Sequence, residues 1–140
     1  MQTVRELLKI KGDTVYSIKA SQTVYDALLL LAEKNIGALL VMEEKRPVGI
    51  LSERDYARKV MLQGAASLDI PVKKIMTERI VYVKPEQDIE ECLGIMTEQH
   101  IRHLPVFEDD KVIGFLSIGD LVKATLEKKE RMIQELTGSK

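Results

Sequence analysis

Two stretches of this chain carry the same pattern of residues able to do chemistry, Gly-x-x-Ser-x-x-Asp: Gly49, Ser52 and Asp55, then Gly114, Ser117 and Asp120. In each, an apolar run ends at the serine and a helical pattern begins beside it. Backbone N–H groups at a helix start, together with the helix dipole, favour an anion such as phosphate. A carboxylate three residues on can accept two hydrogen bonds from a ribose diol. The same spacing also makes a capping box, which closes a helix start and nothing more. Spacing leaves both readings open, and one residue can serve both.

Other reactive side chains add little. His100 and His103 stand three apart, but a strand is expected to begin between them, and no cysteine or third histidine completes a metal site. The single cysteine, Cys92, lies among Ile89, Leu93 and Met96 on one apolar helical face, as a small buried thiol does. The chain has no nucleophile elbow, no HExxH, no Walker loop and no Cys–His constellation. Glu108-Asp109-Asp110 reads as a solvated turn. No enzyme activity, metal or required cofactor is expected.

The elements that position these residues are written twice. Slid by 65 residues, 15–60 lies over 80–125 without a gap, and Lys19/Lys84, Gln22/Gln87, Ile36/Ile101, Gly49/Gly114, Ser52/Ser117 and Asp55/Asp120 are among the identities. A preface recurs too, Val4-Arg5-Glu6-Leu7-Leu8 and Val72-Lys73-Lys74-Ile75-Met76, with a longer link to the first core. Val15–Ile18 and Ile80–Val83 read as short strands. Thr23 and Asp88 cap helices whose buried faces are Val24, Ala27, Leu28, Leu31 and Ile89, Cys92, Leu93, Met96. Ala38–Met42 and Leu104–Phe107 pair with Val48–Leu51 and Val112–Leu116 across charged turns, and second helices open near Glu53 and Ile118. The fold class is α/β (α+β), β-α-β-β-α twice. One module over 1–140 is expected, with repeats at 4–65 and 72–127 and a C-terminal helix at 120–137.

Ile101-Arg102-His103-Leu104-Pro105-Val106, Gly114-Phe115-Leu116-Ser117-Ile118-Gly119-Asp120 and Ser52-Glu53-Arg54-Asp55-Tyr56 resemble the signature stretches of the CBS (cystathionine β-synthase) motif, in particular the stand-alone CBS pairs of bacteria and plant mitochondria. The resemblance spans nearly the whole chain. It implies a pseudo-twofold Bateman module with two clefts, and a regulatory sensor of AMP, ADP, ATP or NAD(H). Carried over, one cleft combines Ser117, Gly119 and Asp120 with Thr14, Val15, Ser17, Ile36, Gly37 and Ala38. Arg102 and His103 then add positive charge and donors near phosphate. The other combines Ser52, Arg54 and Asp55 with Arg79, Ile80, Tyr82 and Ile101. Gly37 and Ala38 stand where the second repeat has Arg102 and His103, so phosphate should prefer the Asp120 cleft. A scaffold that keeps the fold without ligand is the alternative.

Composition bounds the partners. The chain has 140 residues, 45% hydrophobic but without Trp, and a formal net charge of −1. That excludes a basic field drawing nucleic acid or an anionic membrane, and aromatic stacking platforms are scarce. The chain's start does not resemble a signal peptide and no apolar run suits a membrane span, so a cytoplasmic location is expected. Val122, Leu126, Ile133 and Leu136 form a heptad-like stripe interrupted by Lys129. A homodimer through this helix and the helices near Tyr56 and Val60 is expected, signalling to a separate effector protein.

Overall fold

The computed structural model describes residues 2–61 and 69–138. The sequence repeat's end at 65 lies outside the described residues. Among them, four helices open with the same device. Thr3, Thr23, Ser52 and Ser117 stand in extended backbone, and each hydroxyl oxygen accepts from the N–H three residues on. The carboxylates of Glu6, Asp26, Asp55 and Asp120 accept in return from the capping residue's own N–H. These boxes start α1 (Val4–Lys11), α2 (Val24–Lys34), α3 (Glu53–Tyr56) and α5 (Ile118–Thr137).

A fifth helix, α4 (Ile89–Gln99), departs from the expectation. Asp88 occupies its cap position, but the side chain makes no cap hydrogen bond. The Ile89 N–H instead donates to the Gln2 carbonyl, and Asp88 Oδ1 is buried without a partner among the described residues. Asn35 and His100 end α2 and α4 in the left-handed conformation, so His100 is first a helix stop.

The strands are β1 (Ser17–Lys19), β2 (Ala38–Glu43), β3 (Arg46–Ser52), β4 (His103–Glu108) and β5 (Lys111–Ser117). β1 runs parallel to β2, and β2–β3 and β4–β5 are antiparallel hairpins with equivalent bulges after Val41 and Val106. The expected strand Ile80–Val83 does not form. Only Val83 pairs, in a single parallel bridge to Val106. Two prolines account for this. In the first repeat Leu40 N–H donates to Tyr16 O, and Ala20 N–H donates to Met42 O. Their counterparts are Pro105 and Pro85, which have no N–H to give. The ladder therefore shrinks to the bonds that remain, Val83 N–H to Pro105 O and Phe107 N–H to Val83 O.

The chain forms two compact units, one of 1–14 with 81–140 and the other of 15–80. Each holds the preface written ahead of the other repeat. Val4 N–H donates to Gln87 O as Val72 N–H does to Gln22 O; Arg5 N–H donates to Pro85 O as Lys73 N–H does to Ala20 O. Thr3 bridges Asp88 as Pro71 bridges Thr23. The first preface is the helix α1, whereas the second is a 3₁₀ turn at Val72–Lys74.

One core gathers Val4, Leu7, Val83, Ile89, Cys92, Met96, Leu104, Leu116 and Leu121. The other gathers Ile18, Val24, Leu31, Leu39, Val41, Leu51, Val60, Val72 and Ile75. Val60 is thus wholly buried in this core and offers no surface of its own to a partner chain. Its backbone lies in a π-helical turn (Ala57–Met61) that turns the side chain into this core.

Candidate functional site

Asp120 is positioned by three elements of its own unit. β5 ends at Ser117, whose N–H donates to Asp120 Oδ2 (2.9 Å), while Asp120 N–H donates to Ser117 Oγ (3.1 Å). β4 begins opposite, pairing His103 with Ser117, and Ile118 N–H donates to Arg102 O. From α1, Lys11 Nζ lies 3.3 Å from Asp120 Oδ2 and donates to Phe115 O at 2.8 Å. Asp120 Oδ1 has no partner among the described residues. Around one carboxylate the unit therefore collects a helix start, the Lys11 ammonium and, on the facing strand, the His103 imidazole.

His103 is half-buried, its ring 5.8 Å from that of Phe115. Burial pushes its pKa below the ordinary 6.5, Asp120 pulls it up, and Arg102 pushes it down. A neutral imidazole at pH 7 follows. In the free protein His103 supplies a hydrogen-bond donor, and Lys11 is the cation that faces Asp120.

Asp55 differs although its sequence motif is the same. Ser52 N–H and Oγ both donate to its Oδ2 (2.9 and 3.0 Å). Thr77 Oγ1 donates to Oδ1 at 2.9 Å, and Lys59 Nζ stands 3.8 Å from the same oxygen. Thr77 is fixed by a reciprocal backbone pair with Ile50 (2.8 and 3.0 Å). Both oxygens of Asp55 are engaged, and its side chain is 14% exposed against 28% for Asp120.

The glycines of the motif have a packing cause. A Cβ at Gly114 would come 2.6 Å from Leu8, and one at Gly49 would meet Met76 Sδ at 2.7 Å and Thr77 O at 2.9 Å. Each glycine admits the preface. Gly119 is unlike them, since a Cβ there would meet only Ser117 Oγ, at 3.6 Å.

The CBS domain family model matches residues 4–62 and 72–127. The chain belongs to the CBS domain family. The mitochondrial CBS domain-containing protein CBSX3 of Arabidopsis thaliana is 36% identical over 143 residues, covering 96% of this chain and 69% of the relative. A solved CBS-domain protein of Burkholderia ambifaria MC40-6 is 49% identical with a TM-score of 0.87, covering 90% of this chain and 95% of that one. The CBS domain pair of protein MJ0100, solved with 5′-methylthioadenosine and S-adenosyl-L-methionine, shares the fold at TM-score 0.80 and 21% identity, covering 91% and 98%. No helix among the described residues is long and apolar enough to cross a membrane. Because the plant relative is mitochondrial, family membership does not carry the cytoplasmic expectation.

Of the residues expected in the two CBS clefts, Arg102, His103, Ser117, Gly119 and Asp120 come together in the first unit, with Ile101 packed against the core behind them. Thr14 belongs to this unit and is exposed, and Tyr82 stacks on Phe107 at 4.9 Å. In the other unit Gly37 O accepts from Glu53 N–H and Ala38 pairs with Ser52, so the start of β2 adjoins the Asp55 box. Val15, Ile36, Arg54 and Ile80 are half-buried there, and Ser17 and Arg79 are exposed. Lys11 was not expected. It lies 109 positions from Asp120 (120 − 11), in a preface read with its own repeat. A signal existed: the prefaces align at an offset of 68 (72 − 4), which places Lys11 over Arg79, a cation already assigned to a cleft.

Proposed function

We propose that this CBS pair is a sensor of an adenine nucleotide (AMP, ADP, ATP or NAD(H)) that reports to a separate effector protein and works as a homodimer. The observation that carries this reading is the open Oδ1 of Asp120, in a carboxylate whose other oxygen faces Lys11 at the start of α5. A carboxylate with one free oxygen can accept ribose hydroxyls, and the neighbouring ammonium and helix N–H groups suit phosphate. The adenosyl ligands of the like-folded MJ0100 pair are in keeping with it.

The ligand-free reading is favoured at Asp55 alone, where both oxygens are already engaged. One ligand per chain, held at Asp120, follows. Calorimetric titration of the full chain with AMP, ATP and NADH tests the reading. Saturable binding of one of them at about micromolar affinity supports a sensor. No heat with any of them, at protein concentrations far above that, overturns it and leaves an interaction module.

A further inference from the structure

We infer that Lys11 makes the Asp120 site discriminate phosphorylated adenosine from the bare nucleoside. The inference rests on Asp120 holding the ribose. A vicinal diol donates two hydrogen bonds, and a carboxylate receives them best with one at each oxygen. Oδ1 of Asp120 is open, but Oδ2 faces both the Ser117 N–H and the Lys11 ammonium. The diol cannot take both oxygens while Lys11 keeps its place, so binding displaces the ammonium from the carboxylate.

What becomes of Lys11 depends on the ligand. Its side chain is only 24% exposed and stays within reach of Phe115 O, the last backbone acceptor but one before Ser117. A nucleoside takes up Oδ2 and leaves the ammonium on that carbonyl with a loosened ion pair to Asp120, which is costly for a part-buried cation. A phosphate at the start of α5 adds an anion within reach of the ammonium, so the cation regains the close partner that the diol took. Lys11 thereby opposes adenosine and admits AMP. Lys11 is the last residue of α1, and Gly12 follows at φ 101° with no heavy atom near its Cβ direction, so this end of α1 has room to adjust. At Asp55 the corresponding brace is the neutral Thr77 hydroxyl on a fixed backbone, with Lys59 farther off at 3.8 Å. The Asp55 box has a lysine of its own, Lys59, which also donates to the Ile75 carbonyl at 3.0 Å, but the carboxylate oxygen it faces is already taken by Thr77.

The test measures adenosine and AMP affinities by calorimetry for the full chain, Lys11→Met and Lys11→Arg. Wild type should bind AMP more tightly than adenosine. Lys11→Met should narrow that ratio by about tenfold, with adenosine gaining and AMP losing, and Lys11→Arg should restore it. Lys11→Gln, which keeps a donor for Phe115 O, should narrow it likewise and stands in if Lys11→Met fails to fold. A ratio unchanged in the methionine and glutamine variants, or equal weakening of both ligands, overturns the inference while leaving nucleotide binding intact. Failure of wild type to bind either ligand overturns the nucleotide reading and this inference together.

Discussion

Leu8 lies over Gly114 so closely that a methyl group added to the glycine would come within 2.6 Å of a leucine methyl. The contact joins the start of the chain to β5 of the second repeat and explains one invariant of the repeated motif by packing.

Alanine at Gly114 should therefore cost about 1–3 kcal/mol, because Leu8 must change rotamer in a filled core. Alanine at Gly49 should cost more, since its Cβ meets the Thr77 carbonyl at 2.9 Å as well as the flexible Met76, and backbone cannot step aside. Urea unfolding of both variants checks the order. Equal costs, or a larger loss at Gly114, would contradict the packing account.

Burial pushes the Cys92 thiol up from 9.0 to about 11, with the nearby carboxylates of Glu91 and Asp88 adding to it. The native state keeps this proton longer than the unfolded chain does. The thiol's contribution to stability is whole below about pH 9 and declines as pH rises toward 11. Cys92 should resist a thiol-selective reagent at pH 8 in the native protein and react at once in denaturant. Rapid native labelling would show that the α4 face is open.

His103 should titrate below 6.5, since burial dominates its shift. Unfolded chains then take up this proton first, so the stabilising contribution is present above pH 6.5 and falls as pH drops toward the native value. Replacing Asp120 with Asn should lower the titration further by removing the charge that raises it, and Arg102→Ala should raise it. Imidazole shifts followed by NMR read all three. A native titration at or above 6.5 would contradict the buried, neutral ring.

Much of this architecture was legible because the chain is written twice: residue types that are ambiguous in one copy agree across both. Both hairpins and the buried faces of α2 and α4 lie where period and turn chemistry place them. The strand before α4 was misread because apolar character does not count N–H donors, and Pro85 and Pro105 remove two of them. The site was legible as Ser-x-x-Asp but not as chemistry. Among the described residues four helices open with a capping box, and contacts from distant sequence, Lys11 on Asp120 and Thr77 on Asp55, tell an available carboxylate from a satisfied one.

The stripe on α5 bears on assembly. Leu126 and Ile133 are 56% and 60% exposed, whereas Leu121 and Ala124 on the opposite face are buried. The spacing of four, three, four and three through Val122, Leu126, Lys129, Ile133 and Leu136 suits a second copy of the helix. Leu126→Glu combined with Ile133→Glu should give monomers in sedimentation equilibrium with little change in thermal unfolding, as exposed positions allow. A dimer that survives both substitutions would place the contact elsewhere.

We propose that the two Gly-x-x-Ser-x-x-Asp motifs are not equivalent, Asp120 holding a ligand while Asp55 braces its own unit. The most direct measurement is calorimetric titration of AMP into wild type, Asp120→Asn and Asp55→Asn, with urea unfolding of each. Asp120→Asn should weaken binding at least about tenfold, whereas Asp55→Asn should leave affinity near wild type and lower stability by about 1 kcal/mol or more through its lost hydrogen bonds. Equal loss of affinity in both variants, or loss confined to Asp55→Asn, would contradict the account.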